Sequence, residues 1–369
     1  MAWPKKVSFR GKLAPSSITR FDCRLTVVKK LPKPDNTAPF IIVENDRMKA
    51  RISRKTGLID LYEIDGKTYI ENSGKIEVYN DNEDPWGMLS NTFDKLAGEF
   101  KLMSDKDANT FAGYPDEDMP NVRIVEDGAV RTKVQAFFEY GRSVAVIEYT
   151  LPKNGTYIDI DMLVFSNEAN KMLKYKLDTK LCGTPFGETA FGHQELFNDE
   201  KEEVYHKWCS IKENENSLYV INRGTYGGSF TDSTMKISLL RTPIYCAHPV
   251  EGPIAPSDRF IHHIDMGERR FFFRITTEKD IARQAQIFNE APISLSFFPS
   301  GNPEYKRNSA VTIDNPEVIL SSLKKEDDKY KLTLYNASDN DNNAVVKLPE
   351  LDKTLELSFG KHELKILYV

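Results

Sequence analysis

Residues 56–71 read TGLIDLYEIDGKTYIE, and this stretch decides the class of fold. Polar and apolar side chains alternate from Leu58 to Ile64, the period of a strand with one buried face. Asp65-Gly66 then turns the chain, because a two-residue primed turn needs positive φ at its centre and this pair supplies it. Strand chemistry resumes over 68–71, completing a hairpin. Thr56-Gly57 turns the chain on the other side, and 40–52 is half apolar.

The same pattern continues outward. Strand-like runs lie at 122–124, 130–139, 143–151, 157–165, 172–181, 217–222, 235–240 and 270–275. Five more follow at 318–323, 330–335, 344–348, 354–359 and 363–369. Many short strands separated by polar turns indicate antiparallel sandwiches. One helix interrupts them: Thr277 and Asp280 form a capping-box-like start, Ile281, Ala285 and Phe288 make an apolar stripe, and Pro292 ends it. At the front, 18–28 reads as a strand, followed by the linker residues Lys33, Pro34, Asp35 and Asn36. The expected organisation is a tail of a preceding β domain with its linker at 1–36, a large β domain at 37–303 and a small β domain at 304–369.

Composition bounds the function. The chain has 369 residues, 40% hydrophobic and 28% charged, with 50 basic against 55 acidic residues and a net charge of −5. Neither nucleic acid nor an anionic membrane is expected as a partner. No apolar stretch approaches the roughly 20 residues of a membrane span. The start, Met1-Ala2-Trp3-Pro4-Lys5-Lys6, lacks the apolar core of a signal peptide. Cys23, Cys182, Cys209 and Cys246 are scattered, which suits inert core thiols in a reducing, cytoplasmic compartment. Whether copies of the chain associate is left open.

Catalytic chemistry is sparse. There is no Walker A, no G-x-G-x-x-G, no G-x-S-x-G and no H-E-x-x-H. Six histidines exist, at 193, 206, 248, 262, 263 and 362. The one metal-like grouping by spacing is His262, His263 and Asp265. In a strand His263 and Asp265 would share a face, but a solvated or backbone-bonded turn is the commoner use of such residues. His206 beside Trp208 could stack on a sugar or form a plain core pair. Glu202-Glu203 and Asp327-Asp328 read as solvated turns. Between 220 and 228, Gly224, Gly227 and Gly228 surround Tyr226 and permit a tight loop. That loop would display Asn222, Arg223 and Tyr226, an amide, a guanidinium and a phenol suited to hydroxyl groups; a plain hairpin is the alternative. Arg241 ends an apolar strand, where it could anchor this loop or face a ligand.

Several segments, in this order, resemble glycoside hydrolase family 38, the α-mannosidases. SLLRTP at 238–243 is similar to that family's SLLRSP-type signature. KWCSIKENENSLYVINRGTYGG at 207–228 resembles its Trp-turn-strand segment ending in an N-D-x-x-Y-G-like loop, with Arg223 where an acidic residue is common. DMGERRFFFRI at 265–275 resembles the D-x-G-x-H-x-F-x-Y strand, with Arg269 in place of His. FNEAPI at 288–293, YNDNEDPWGM at 79–88, EDGAVRTKV at 126–134, EYTL at 148–151 and the opening hairpin also fit. The resemblance spans about 38–335.

It implies an all-β fold: a galactose-mutarotase-like supersandwich followed by a small C-terminal β-sandwich domain. It also implies an activity for an intact enzyme: retaining hydrolysis of α-mannosides through a glycosyl-aspartate, with zinc on the sugar hydroxyls. The family's zinc ligands and nucleophile sit mainly in an N-terminal β/α domain, in H-x-D, P-D-x-F-G and H-H-D-A-type motifs. His262-His263-Ile264-Asp265 echoes one of these only superficially. No catalytic residue and no metal ligand is therefore transferred. No cofactor is expected in this chain, and zinc is implied for the missing catalytic domain. The expected role is non-catalytic: packing on that domain and completing its pocket for an α-mannoside or other carbohydrate, through Asn222, Arg223 and Tyr226. The chain by itself is expected to be inactive. Two alternatives stand beside this. A free-standing carbohydrate-binding module would need exposed aromatics such as Trp86 and Trp208. An aldose epimerase-like enzyme would need a histidine acid and a carboxylate base facing one groove.

Overall fold

The structure, a computed structural model, describes residues 7–22, 36–81, 91–245, 262–295 and 309–369. It divides into two compact units. The sandwich unit holds Pro34–Glu188 and Gln194–Lys279. The C-terminal unit holds Asp280–Val369 together with Met1–Lys33 and the hairpin tip Thr189–His193.

The sandwich unit opens with a four-stranded meander, Phe40–Glu44, Met48–Ser53, Ile59–Ile64 and Lys67–Ser73. The Asp-Gly hairpin is present, with Asp65 and Gly66 at φ 50° and 80°. The single run expected at 40–52 is instead two antiparallel strands. Asn45 breaks it: its Oδ1 accepts the N–H groups of Arg47 and Met48 at 3.0 and 2.9 Å, an Asx turn.

Two larger sheets follow. In a ten-stranded sheet, Gly267–Thr276 lies between Asn216–Arg223 and Tyr157–Ser166, pairing antiparallel with both. In a six-stranded sheet, Lys171–Asp178 lies between Thr234–Arg241 and Lys75–Asn80. Tyr175 of the six-stranded sheet stacks on Phe273 of the ten-stranded one, ring centroids 5.7 Å apart at 10°. Ile59, Tyr62 and Ile70 of the meander are fully buried in the same core. Each such side chain contributes about 1.5–3 kcal/mol by leaving water.

The C-terminal unit is smaller and combines one helix, Ile281–Asn289, with two three-stranded sheets. One contains Asn342–Leu348 and Lys353–Phe359; the other contains Val318–Glu326, Lys329–Asn336 and Leu364–Tyr368. Val318, Leu332, Leu334, Val346 and Phe359 share its core. The all-β class and the sandwich architecture are those expected.

Local details differ. Residues 18–22 form no strand, and 23–28 lie outside the described residues. The helix Ile281–Asn289 starts after Asp280, not at Thr277, and no capping box forms; Asp280 instead accepts from Gln284 Nε2 at 3.1 Å. A second helix, Asp105–Phe111, is capped by Ser104, whose hydroxyl accepts the N–H of Asp107 at 3.1 Å. Its sequence, DKDANTF, has no apolar stripe long enough to announce it. No helix among the described residues is long and apolar enough to cross a membrane.

Candidate functional site

The loop expected to grasp hydroxyls follows the strand Asn216–Arg223. Gly224, at φ 81°, turns it, and a Cβ there would meet nothing within 4 Å; the glycine serves the backbone angle alone. The three candidate side chains separate. Asn222 is 1% exposed and donates from Nδ2 to the His206 carbonyl at 3.0 Å, so it holds the loop from inside. Arg223 is exposed, its guanidinium 5.3 Å from the centre of the Phe272 ring. Arg270 stands at the same distance from that ring and forms a bidentate pair with Asp161. Tyr226 is 56% exposed. Arg223 and Tyr226 thus face solvent on one loop, and Asn222 does not.

A second polar site lies on the six-stranded sheet. Lys171–Asp178 buries Tyr175 on one face, so Lys174 and Lys176 project from the other. Lys174 is nonetheless 0% exposed, paired with Glu202 and donating to Ser229 Oγ at 2.8 Å. Its ammonium lies 5.6 and 5.7 Å from the centres of the Tyr79 and Phe93 rings. Burial lowers the Lys174 pKa against the pull of Glu202. The Tyr79 hydroxyl bonds the Glu77 carboxylate, and burial, reinforced by Glu77, raises its pKa. A cavity of about 280 Å³ opens here, lined by Glu77, Tyr79, Phe93, Asp94, Leu96, Lys176, Glu200 and Lys236. That is near the ~300 Å³ lower bound of small-molecule sites, room for one ring-sized polar group. Arg241 packs on one lining residue, its guanidinium 4.9 Å from the centre of the Phe93 ring, and holds Asp81 at 3.0 and 2.7 Å. SLLRTP at 238–243 and YND at 79–81, remote in sequence, therefore meet in one ion pair.

A model of the "Glycosyl hydrolases family 38 C-terminal domain" matches residues 43–251. The chain belongs to this family. Its segment from 43 to 251 is a family 38 C-terminal domain. Among curated proteins, this family 38 chain is 26% identical to alpha-mannosidase G of Dictyostelium discoideum over 228 residues, 56% of this chain and 20% of that protein. It is 26% identical to human alpha-mannosidase 2C1 over 192 residues, 48% of this chain and 17% of that protein. The chain thus spans about a fifth of the length of these relatives. Two solved structures share the fold at 10% identity: an alpha-mannosidase and a family 38 glycosyl hydrolase protein, both from Enterococcus faecalis. Their TM-scores are 0.65 and 0.67, and both alignments cover 89% of this chain, against 42% and 43% of the other chains.

Other expectations of the sequence change on inspection. Trp208 is buried at 4% exposure, its ring edge-on to Tyr219 at 5.5 Å, and cannot serve as a sugar platform. Trp86 lies outside the described residues. His263 and Asp265 do not share a strand face: Asp265 sits in a turn at φ 52° and pairs with Arg269 at 3.2 Å, while His263 Nδ1 bonds the Thr242 carbonyl at 2.9 Å. Arg269, standing where the family pattern has His, is spent on that turn. The cavity was not read from the sequence. Its described walls come from five places, 77–79, 93–96, 176, 200 and 236, and no single motif carries it.

Proposed function

We propose that this chain is the non-catalytic C-terminal portion of a retaining, zinc-dependent α-mannosidase, which packs on the enzyme's N-terminal catalytic domain and completes its sugar pocket. The family match over 43–251 carries the reading. The catalytic zinc and the nucleophile belong, in this reading, to the catalytic domain. Arg223 and Tyr226 are the side chains offered to the sugar, with Asn222 bracing their loop, because two exposed hydrogen-bonding groups flank one glycine turn. The cytoplasmic setting belongs to the same proposal and rests on Cys182 and Cys209, both free thiols.

The alternatives fare worse on this geometry. Burial of Trp208 removes one of the two aromatics that a binding module would use. Among the described residues the cavity has three carboxylates, Glu77, Asp94 and Glu200, but no histidine in its lining, which an epimerase-like acid would require.

Two measurements test the proposal. The purified chain should show no turnover of an aryl α-mannoside; activity that survives repurification overturns the non-catalytic role. In the full-length enzyme that carries this chain, Arg223→Ala and Tyr226→Phe should each lower kcat/KM by about tenfold, the worth of one hydrogen bond to a sugar hydroxyl. Unchanged kinetics in both would remove the loop from the pocket.

A further inference from the structure

The C-terminal unit gathers three side chains that the mannosidase reading leaves unused. His193 and His362 each aim Nε2 at the carboxylate of Asp339, at 3.1 Å from Oδ2 and 3.2 Å from Oδ1. One ligand atom from each residue lies within 4.8 Å of the other two. The two imidazoles stand at 89°, with centroids 5.2 Å apart, so their edges converge on the carboxylate without stacking.

The surrounding frame holds this arrangement from three segments. Asn336, 0% exposed, donates from Nδ2 to the carbonyls of Asn340 and Gly360 at 2.7 and 2.9 Å. It thereby ties the turn that carries Asp339 to the turn that carries His362. The third segment is the hairpin tip Thr189–His193. Phe191 anchors that tip edge-on against Tyr335, with centroids 5.3 Å apart. A Cβ at Gly192 would lie 3.2 Å from His362 Nδ1, so the bare glycine gives the second imidazole its seat. His362 itself adopts φ 52°, a left-handed angle that costs energy for a residue with a side chain. Such strain persists where the surroundings impose it.

We propose that His193, Asp339 and His362 form a binding site for a divalent transition-metal ion, with zinc the best fit. Zinc takes imidazole nitrogen and carboxylate oxygen at about 2.0–2.2 Å, which places neighbouring tetrahedral donors ~3.4 Å apart. The contacts of 3.1 and 3.2 Å go to different oxygens of Asp339, and one donor from each residue lies within 4.8 Å of the other two, so binding draws the three donors together by at most about 1.4 Å. Two nitrogens and one oxygen, with no thiolate, select a borderline ion over soft copper(I) or hard calcium. Both histidine side chains are about one-fifth exposed, at 20% and 23%, so water reaches the fourth position. Lys361, whose Nζ is 2.7 Å from Asp339 Oδ1 and whose side chain is 57% exposed, is the cation that the metal displaces.

The test uses the tag-free chain, stripped with a chelator and titrated with Zn²⁺ against a chromophoric competitor. One equivalent should bind at micromolar or tighter dissociation constant. His193→Ala, His362→Ala and Asp339→Asn should each weaken binding at least 100-fold, while Lys361→Ala should tighten it. Co²⁺ should give the visible bands of a four-coordinate ion, absent in His362→Ala. Metal-free melting curves of each variant control for folding, and zinc should raise the midpoint only where the three ligands are intact. A control, His262→Ala with His263→Ala, should bind as the parent does. Sub-stoichiometric uptake by the parent at tens of micromolar zinc, or binding lost in the control but kept in His193→Ala, overturns the proposal and leaves a hydrogen-bonded His–Asp–His clamp.

Discussion

The sandwich unit carries two polar sites built on opposite principles. Around Lys174, charge is buried and fully partnered: the ammonium has a carboxylate, a hydroxyl and two aromatic faces. On the loop after Asn222, charge is exposed, and Arg223 and Tyr226 reach into solvent from a glycine turn. The first site is rigid because an unpartnered buried charge costs several kcal/mol. The second can reorganise cheaply. A cavity wall and a contact loop therefore differ less in residue type than in how much desolvation has already been spent.

The largest effect expected from breaking this contrast is at Lys174. Lys174→Ala strands Glu202 beside an emptied apolar slot and should cost about 3–5 kcal/mol in urea denaturation. Lys174→Met keeps the stem's packing and should cost distinctly less. Equal losses in the two variants would show that charge, not packing, holds the site.

A second expectation uses pH. Tyr62, Tyr149, Tyr175 and Tyr205 are buried to near 0% exposure, and burial raises each pKa above the usual tyrosine value of 10.0. Above about pH 10 the unfolded chain releases protons that the folded chain keeps. Stability then falls by about 1.4 kcal/mol per pH unit for each such tyrosine. Lys174 acts with the opposite sign. Its lowered pKa means that the unfolded chain binds a proton the folded chain lacks, between the folded value and 10.5, so this contribution to stability rises with pH in that window. Lys174→Met should erase the rise and leave the fall. Tyr149→Phe should make the fall shallower by one tyrosine's share. Because the Tyr149 hydroxyl is buried with no partner among the described residues, this variant should also gain about 1 kcal/mol at neutral pH.

The smallest stability effect belongs to the loop. Arg223→Ala and Tyr226→Phe should change unfolding free energy by no more than ~0.5 kcal/mol, as exposed positions do. A loss above 1.5 kcal/mol in Arg223→Ala would mean that its contact with Phe272 is structural, and the two sites would then resemble each other after all.

Much of the fold was legible in the sequence. Alternation, the Asp65-Gly66 turn and the apolar stripe of Ile281, Ala285 and Phe288 are local signals, and local geometry decides them. The loop at 222–228 was legible for the same reason, because glycine and its neighbours announce a turn. Its individual side chains were not: Asn222 is the last buried step of a strand and Arg223 the first exposed one, a difference of one residue in register. The helix Asp105–Phe111 escaped notice because seven residues bury too little to leave a periodic trace.

The sequence by itself determined what depends on neighbours along the chain: strand period, turn chemistry, the all-β class and the ordered motifs of family 38. Tertiary structure alone decided what depends on neighbours across it. The pairing of Arg241 with Asp81 spans 160 residues, and that of His193 with Asp339 spans 146. No periodicity links such partners. They meet because two sheets bury one apolar core and because Phe191 seats the hairpin tip of His193 against Tyr335, and burial energy does not record in advance which polar groups it will bring together.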